Sequence, residues 1–429
     1  MAATPLVRVV LLLPVSVFPF CAAGQDPQPS RLHGYVGGPY KVLATDLTGD
    51  GHVDVMLGFR QLGLVAVERG DGRGNLAEPV LNEFGRHRGV SRDDKSWSEP
   101  HIHNLACADL DGDGLPDVMV GVAGLSTIQR GSIVLARNLG KGRFEKQLEY
   151  EVPSQAKGVA FADLDRDGRL DVLYTARGSG YKDDLKRGVL YLRRGLGGWK
   201  FGPAIESDAG KSAYHIETAD LNNDGFLDII VPNEHDSCAT YFLNPGKSVF
   251  EAKALPSRIA RATQIPGKPA HAVNDVRATD FDEDGNQDLL TANLGSSTVS
   301  IFRGNGDGTC QKDTILDAGK NGAFLAVADL DSDGDSDFVI THWTEDFASV
   351  FLNRGDGTFA PKSDIKTGLG NYGVDIADLN GDGHLDIVTA NYRARSRSLL
   401  LGVGDGSFRP AKTAARSLRL YEGKWISAD

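Results

Sequence analysis

The nonapeptide DLDGDGLPD at residues 109–117 is the strongest indication of the fold, because six close relatives of it recur along the sequence. The relatives are DLTGDGHVD (46–54), DLDRDGRLD (163–171), DLNNDGFLD (220–228), DFDEDGNQD (280–288), DLDSDGDSD (329–337) and DLNGDGHLD (378–386). Successive copies start 49 to 63 residues apart. A sustained period of this length is typical of a solenoid, a propeller or an array of small units.

The residues around each acidic nonapeptide predict short buried strands. An aliphatic residue stands four positions before each copy, and only Ala or Thr stands directly before it. A short apolar run such as Val55-Met56-Leu57 follows, which is typical of a buried strand bounded by Gly and Asp. The acidic nonapeptide is therefore predicted to be the turn of a β-hairpin.

A third and a fourth strand are predicted in each unit. The third strand, for example at 189–192, 299–302 or 350–352, leads into a glycine-rich turn that ends in an aromatic residue. The aromatic residue, such as Phe144, Phe359 or Phe408, is expected to start the fourth strand. Seven units of four antiparallel strands predict an all-β fold, a seven-bladed β-propeller. A parallel β-helix is less favoured, because its turns are much shorter.

Composition and the N-terminus suggest the domain organisation and the compartment. The 429 residues are 41% hydrophobic, which is globular, and the net charge of −12 disfavours a nucleic-acid partner. After Arg8 an uncharged apolar stretch ends in small residues at 22–24, which predicts a signal peptide at 1–24. A retained membrane anchor is less favoured because Pro14 and Pro19 interrupt the stretch.

One propeller domain is predicted over residues 25–429, with either 25–38 or 411–429 completing the sheet that closes the ring. The protein is expected to be secreted, periplasmic or on the cell surface, without a membrane span once the signal is removed, and to be a monomer. Three cysteines lie beyond the signal, at Cys107, Cys238 and Cys310. Free thiols are favoured over one disulfide, because no pairing pattern is evident.

The acidic nonapeptides have the chemistry of calcium loops. Oxygen side chains at positions 1, 3, 5 and 9 surround a Gly at position 6 that is free to adopt a positive φ. Oxygen ligands without His or Cys favour Ca²⁺. An EF-hand is excluded, because position 12 lacks the required Glu and no helices flank the loops. Up to seven structural Ca²⁺ sites are predicted, and solvated turns without metal are the less favoured alternative, since closely spaced carboxylates repel one another.

The predicted metal ligands share these four positions. They are Asp46, Thr48, Asp50 and Asp54; Asp109, Asp111, Asp113 and Asp117; Asp163, Asp165, Asp167 and Asp171; Asp220, Asn222, Asp224 and Asp228; Asp280, Asp282, Asp284 and Asp288; Asp329, Asp331, Asp333 and Asp337; Asp378, Asn380, Asp382 and Asp386. The loop at 46–54 is the weakest site, because Thr48 replaces a carboxylate or an amide.

The pattern D-x-[DN]-x-D-G-x-x-D between two strands, followed by a turn like Gly355-Asp356-Gly357-Thr358-Phe359, resembles the FG-GAP and VCBS repeats. These repeats build the seven-bladed propeller at the head of integrin α subunits and occur in many secreted bacterial proteins. The resemblance covers nearly the whole chain after the signal and implies the fold and calcium. It does not imply one function, since such propellers include adhesion modules, lectins and polysaccharide lyases.

The family geometry implies that the acidic loops line one face of the propeller and that polar loops build the opposite face. Candidate catalytic residues there are His103, His215, His235, His342, Tyr214 and Lys157. Candidate ligand-binding residues are Trp343, Tyr392, Arg393, Asn233 and His271. In addition, Glu217, Arg277 and Asp375 interrupt the innermost strands near the channel.

Three functions are compatible with these residues. A calcium-stabilised scaffold or adhesion module gives the polar loops no special chemistry. A module that binds an extracellular glycan or protein uses aromatic rings beside Asn and His donors. A calcium-dependent lyase acting on a uronate polymer uses His or Tyr as the base, with Arg or Lys neutralising the carboxylate. Binding is favoured, and whether the protein is an enzyme stays open.

Overall fold

The computed structural model describes residues 38–60, 63–85, 100–123, 130–178, 187–235, 237–246, 257–261, 272–409, 414–415, 417–421 and 424–428. For 257–261 and for everything after residue 409, only the backbone is described. The predicted signal peptide at 1–24 and the candidate His271 lie outside the described residues. No helix in the described ranges has the length and apolar character needed to cross a membrane.

The described residues up to 409 form seven antiparallel sheets, each with four strands in sequence order. Blades 1 to 4 comprise β1 (Pro39–Thr45), β2 (Asp54–Phe59), β3 (Leu64–Glu68) and β4 (Val80–Glu83); β5 (His101–Ala108), β6 (Asp117–Ala123), β7 (Gly131–Asn138) and β8 (Phe144–Val152); β9 (Ala156–Ala162), β10 (Asp171–Ala176), β11 (Gly188–Arg193) and β12 (Ile205–Gly210); β13 (Glu217–Ala219), β14 (Asp228–Asn233), β15 (Cys238–Phe242) and β16 (Ser257–Arg261).

Blades 5 to 7 follow the same order. They comprise β17 (Ala272–Thr279), β18 (Asp288–Leu294), β19 (Thr298–Phe302) and β20 (Thr314–Asp317); β21 (Gly322–Ala328), β22 (Asp337–His342), β23 (Phe347–Phe351) and β24 (Ser363–Lys366); β25 (Asn371–Ala377), β26 (Asp386–Asn391), β27 (Ser396–Gly402) and β28 (Phe408–Arg409). The predicted all-β, seven-bladed propeller is confirmed.

Each acidic nonapeptide is the turn between the first two strands of its blade, as the sequence predicts. The residue before position 1 pairs with position 9, for example Thr45 with Asp54 and Ala108 with Asp117. The fourth strand begins at Phe144 and at Phe408, as predicted, but it does not begin at Phe359. Phe359 instead forms an isolated bridge with Asn353, and the fourth strand of that blade begins at Ser363.

The hydrophobic core is divided into seven clusters, one at each interface between neighbouring blades. The cluster that closes the ring packs Val42, Val55 and Leu57 of blade 1 against Val388 and Leu399 of blade 7. Because apolar surface is buried on both faces of every blade, no blade has a complete core without its neighbours.

The ring closes by packing between β1 and β25. A Cβ atom at Gly373 would lie 2.9 Å from the Cα of Lys41, so this close approach of the two backbones requires glycine. Of the two segments predicted to complete the sheet that closes the ring, residues 25–37 lie outside the described residues, and only a short piece of 411–429 joins a blade. β29 (Ala414–Ala415) pairs with the outer edge of β27, while β30 (Ser417–Tyr421) and β31 (Lys424–Ala428) pair with each other. The three cysteines Cys107, Cys238 and Cys310 are free thiols.

The aspartate at position 9 ties the three inner strands of its blade together. In blade 6, Asp337 is fully buried and accepts the backbone N–H of Leu330 at 2.8 Å and that of Asn353 at 2.7 Å. The same pair of bonds, to position 2 of the turn and to the end of the third strand, recurs in every blade. The other aspartates are Asp54, Asp117, Asp171, Asp228, Asp288 and Asp386.

We expect Asp337→Ala to lower the free energy of unfolding by about 2–5 kcal/mol, because it leaves two buried N–H groups without an acceptor. Denaturant unfolding in EGTA measures this loss separately from any metal effect. The matched control is Asp346→Ala, since Asp346 is exposed in the same blade. Equal stability of Asp337→Ala and wild type in EGTA would show that Asp337 acts only as a metal ligand.

We also expect residues 25–429 to unfold in one cooperative transition, because every blade shares its core with two neighbours. Differential scanning calorimetry combined with limited proteolysis checks this. Two stable fragments that melt separately would contradict a single propeller domain.

Candidate functional site

The acidic loops are tight turns whose carboxylates also hold their own backbone. In blade 2, Asp109 at position 1 accepts the backbone N–H groups of Gly112 at 2.7 Å and Gly114 at 2.8 Å. Asp113 at position 5 accepts the N–H of Leu115 at 3.0 Å. Gly114 at position 6 has φ of 86°, and the glycines at this position in all seven loops have positive φ, as predicted.

Position 4 also adopts a positive φ in all seven loops, which the sequence does not reveal. Glycine occupies it in three loops, but Arg166, Asn223, Glu283 and Ser332 occupy it in the other four, with φ between 55° and 65°. A left-handed conformation of these non-glycine residues costs free energy. The network of hydrogen bonds around positions 1 and 5 enforces it.

Acidic oxygens converge in four of the seven loops, in blades 2, 3, 5 and 6. Three carboxylates of each loop offer oxygens within 4.8 Å of one another, in the sets Asp109, Asp111, Asp117; Asp163, Asp165, Asp167; Asp280, Asp282, Asp288; and Asp329, Asp331, Asp333. In each set the buried Oδ1 atom of position 3 has no hydrogen-bond partner. A hard divalent cation fits these oxygen-only clusters, because it would satisfy the free oxygens and the repelling charges together.

Burial and repulsion both disturb the ionisation of position 9. Burial, followed by the charges of neighbouring loop carboxylates, raises the pKa of Asp171 to about 7 and those of Asp228, Asp337 and Asp386 to about 6. A bound cation would oppose both effects and keep these carboxylates charged.

Arginines place positive charge beside the acidic loops of blades 2, 3 and 5. Arg137 lies 2.8 Å from Asp111, Arg194 lies 3.0 Å from Asp165, and Arg303 pairs with Asp282. Each arginine stands at or just after the end of the third strand of its blade. These arginines were not among the predicted site residues, although the same register of every blade holds only Arg or Leu.

The loops of blades 1, 4 and 7 differ from the other four. Their position 3 is Thr48, Asn222 or Asn380, and no comparable cluster of three carboxylates forms there among the described residues. The amide nitrogens of Asn222 and Asn380 each donate to the position 5 aspartate at 3.0 Å. The structure therefore brings acidic oxygens together in four loops, where the sequence predicted up to seven sites.

At the opposite end of the innermost strands, the polar residues fall into two registers of the repeat. Six residues before position 1 stand Tyr40, His103, Lys157, Tyr214, Asn274, Ala323 and Tyr372. Fourteen residues after position 1, just beyond the second strand, stand Arg60, Ala123, Arg177, Glu234, Leu294, Trp343 and Tyr392. Antiparallel pairing puts the start of the first strand beside the end of the second, so the two registers meet at one face.

Aromatic rings and cations from these registers form one cluster, which we call the aromatic–cation face. The Tyr40 and Tyr214 hydroxyls lie 2.6 Å apart. The Arg60 guanidinium lies 5.3 Å from the Tyr40 ring and 5.9 Å from the Tyr392 ring. Tyr372 packs 4.2 Å from Tyr40, centroid to centroid.

The exposed edge of this face carries a second pairing of ring and cation. The Arg393 guanidinium lies 4.5 Å from the ring of Trp343, which contacts Tyr372 edge to face at 5.4 Å. Trp343 and Tyr392 are partly buried and Arg393 is exposed. The structure thus brings together three predicted ligand-binding residues, Trp343, Tyr392 and Arg393.

Lys157 and His103 form the buried floor of the face. The Lys157 ammonium lies 3.2 Å from both ring nitrogens of His103 and 5.0 Å from the Tyr214 ring centroid. Burial, and then the charges of Lys157 and Arg60, hold the pKa of His103 well below its usual range. Burial raises the pKa of Tyr214. His103 and Tyr214 are therefore neutral hydrogen-bonding groups at pH 7.

A partly buried ion pair borders the face in blades 3 and 4. Arg177 lies 2.9 Å from Glu234 and 2.8 Å from the Nε2 atom of the exposed His235. Although burial opposes it, the positive charges of Arg177, His235 and Lys157 lower the pKa of Glu234 to about 2. Arg177 was not among the predicted site residues.

Three predicted residues lie elsewhere. His215 is buried, and its Nδ1 atom lies 3.0 Å from the buried Asp275. His342 is buried in blade 6, with its ring nitrogens 3.0 Å from the Lys320 carbonyl and 2.9 Å from Ser349 Oγ. The Asn233 amide is buried in blade 4 beside Thr240 Oγ1 at 2.8 Å. His342 and Asn233 therefore stabilise their own blades.

Known proteins share both the repeat and the fold. A family model described as an FG-GAP-like repeat matches residues 46–120, 109–174, 178–231, 280–340 and 329–389. The chain is 28% identical over 208 residues to integrin alpha pat-2 of Caenorhabditis briggsae and 26% identical over 217 residues to integrin alpha-V of Gallus gallus. These alignments cover 42% and 47% of this chain, but only 16% and 21% of the two integrins.

Solved structures extend the similarity of fold. A lectin from Agrocybe aegerita, described as recognising non-reducing terminal N-acetylglucosamine, has a TM-score of 0.54 and 21% identity, covering 87% of this chain and 93% of the lectin. A protein of unknown function from Desulfotomaculum acetoxidans has a TM-score of 0.50 and 12% identity, covering 82% and 92%. With its repeat matched over most of the propeller, the chain belongs to the FG-GAP-like repeat family.

Proposed function

We propose that this protein is a secreted, calcium-stabilised binding module whose aromatic–cation face holds an extracellular glycan. The observation that carries the proposal is the exposed edge of that face, where Trp343 and Tyr392 stand beside the guanidinium groups of Arg393 and Arg60. Aromatic rings cover the apolar faces of sugars, and neighbouring polar groups fix their hydroxyls. Six blades contribute to the face, as expected for a site built around the propeller axis.

The related proteins support a binding function of this kind. The lectin from Agrocybe aegerita has the same fold and is described as recognising a terminal sugar. The integrin alpha relatives make an extracellular protein partner the second candidate. A surface of partly buried aromatics with arginines also suits a protein, because Trp, Tyr and Arg are enriched in interface hot spots.

The ionisation of the face favours binding over lyase chemistry. A general base works best with a pKa near the working pH. The pKa of His103 is held well below its usual range by burial, and burial raises that of Tyr214. Neither shift brings the pKa of His103 or of Tyr214 to the value that a base needs to abstract a proton from a uronate. The face is better suited to hydrogen bonding and stacking.

Calcium is proposed as the structural ion of the acidic loops. The loops of blades 2, 3, 5 and 6 would hold it through carboxylates at positions 1, 3, 5 and 9, whose free Oδ1 atoms at position 3 are its natural ligands. The ion would link the turn to the inner strands of the blade and stabilise the folded state only. Secretion through the predicted signal peptide at 1–24 would place the protein where calcium is abundant.

We expect Ca²⁺ to raise the melting temperature of the wild-type protein, because a ligand that binds only the folded state stabilises it. Asp331→Ala should reduce that rise and lower the bound calcium by about one ion per chain, measured by thermal melting in Ca²⁺ and EGTA and by elemental analysis. Asp335→Ala is the matched control, since Asp335 lies in the same loop outside the carboxylate cluster. No calcium in the purified protein and no response to EGTA would contradict the proposal.

We expect Trp343→Ala and Tyr392→Ala to weaken glycan binding about tenfold, which corresponds to about 1.4 kcal/mol of lost contact. A glycan array in the presence of Ca²⁺ identifies the ligand, and titration measures the affinities. Trp199→Ala should bind like wild type, because Trp199 is also partly buried but contacts the acidic loop at Asp111. A blank array would favour a protein partner, whereas ultraviolet-absorbing products from a uronate polymer would favour the lyase.

A further inference from the structure

A cavity of about 390 Å³ lies between the innermost strands of blades 1, 4, 5, 6 and 7. It adjoins the acidic loops, because its lining includes Thr279, Ala328 and Ser336 beside those turns. At the other end Tyr40, Phe324 and Tyr372 pack against one another, with centroids 4.2 to 6.0 Å apart. The cavity is therefore separate from the aromatic–cation face.

Charged side chains enter this cavity from the innermost strands. The register three residues before position 1 carries Glu217, Arg277 and Asp375, and that five residues before it carries Lys41. The rest of the lining is mainly apolar, including Leu325 and Val374. Charges in such surroundings are costly unless each has a partner.

Most of the cavity charges are already satisfied by the protein. Arg277 lies 3.1 Å from the buried Asp275 and 3.4 Å from Glu217. Asp375 accepts the backbone N–H of Ala44 at 2.8 Å and that of Ile376 at 3.0 Å. These contacts leave little capacity for a ligand at Arg277 or Asp375.

Lys41 is the exception among the charged residues of the lining. It is 7% exposed, and its ammonium group makes no hydrogen bond or ion pair with any part of the chain that the structure describes. The ammonium group lies 5.6 Å from the Phe324 ring centroid. Burial, and then the charge of Arg277, lower the pKa of Lys41, whereas the charges of Asp275, Asp375 and Glu217 act in the opposite direction. An anionic group in the cavity would compensate this buried charge.

Glu217 adds a requirement for a hydrogen-bond donor. Its side chain is 25% exposed and reaches Arg277 only at 3.4 Å, so its carboxyl group retains capacity to accept. Burial raises the pKa of Glu217 to about 7. A hydroxyl group suits this site, because it can either donate to the carboxylate or accept from the protonated acid. Thr279 and Ser336, whose hydroxyls lie 3.0 Å apart, offer further polar contacts.

We propose that the channel cavity binds one small hydroxylated carboxylate of monosaccharide size, a sugar acid, with its carboxylate on Lys41 and a hydroxyl on Glu217. The volume of about 390 Å³ is in the range of small-ligand pockets. The ligand would enter past the acidic loops. This site is independent of the proposed glycan site, which lies at the other end of the channel.

Isothermal titration with glucuronate and galacturonate, in the presence of Ca²⁺, tests the proposal. At least one of the two acids should bind in a one-to-one complex, and glucose, which lacks the carboxylate, should bind at least tenfold more weakly. Lys41→Met should weaken binding at least tenfold without lowering the melting temperature, because it removes a buried charge that makes no direct ion pair. Glu217→Gln should weaken binding several-fold.

Control variants distinguish binding in this cavity from binding elsewhere on the propeller. Lys366→Met, at a lysine with 84% exposed side chain, should bind like wild type, and so should Trp343→Ala on the aromatic–cation face. Lys41→Gln replaces Lys41→Met if the latter fails to fold. No heat with either acid, equal binding of glucose, or unchanged binding after the Lys41 substitutions would overturn the proposal. Tighter binding of the free amino acid alanine than of either sugar acid would overturn the assignment of the ligand as a sugar acid.

Discussion

The structure depends on one buried carboxylate in each blade. It stands at the start of the blade's second strand and accepts hydrogen bonds from two backbone N–H groups. Asp171 shows the arrangement: one oxygen accepts the N–H of Leu164 in the turn at 3.0 Å, and the other accepts that of Gly195 beyond the third strand at 2.8 Å. These donors lie where the ladder of the sheet ends, so no strand can satisfy them. An aspartate is short enough to reach both, which explains why position 9 is Asp in all seven repeats.

The same carboxylate creates an electrostatic problem that the rest of the loop has to solve. Burial alone raises its pKa, and the carboxylates at positions 3 and 5 add repulsion, as at Asp171 and Asp337. A divalent cation would solve this problem in the loops of blades 2, 3, 5 and 6, where three carboxylates converge. In blades 2, 3 and 5 an arginine from the end of the third strand also contributes positive charge, whereas blades 4, 6 and 7 have Leu243, Leu352 and Leu401 in that register.

The register that holds Arg or Leu also links one blade to the next. Arg303 donates to the carbonyl of Asp356 at 2.8 Å, in the glycine-rich turn of the following blade. Leu243 and Leu352 contact the corresponding turns so closely that a Cβ at Gly308 or Gly406 would lie 2.8 or 2.5 Å away. The third strand of one blade therefore contacts both its own acidic loop and the glycine-rich turn of the next blade. These contacts couple the acidic loops to the packing between blades.

The fold could be predicted from the sequence alone, because the acidic turn, its flanking aliphatic residues and its glycine are local features repeated seven times. The resemblance to the FG-GAP and VCBS repeats also implied that Trp343, Tyr392 and Arg393 share a face. Tyr40, Arg60 and Arg177 were missed, although the spacings of six and fourteen residues around position 1 identify them.

The contacts among the polar residues could not be predicted from the repeat, because burial and neighbours in other blades set their roles. An irregularity at the start of the first strand, as between Pro39 and Lys41, shifts the side chains of six blades and cannot be read from the repeat. His342 is held inside its blade by Lys320 and Ser349, which pattern alone does not reveal. The role of Lys41 is evident only in three dimensions, because its lack of a direct ion pair depends on the distances to charges contributed by blades 4, 5 and 7.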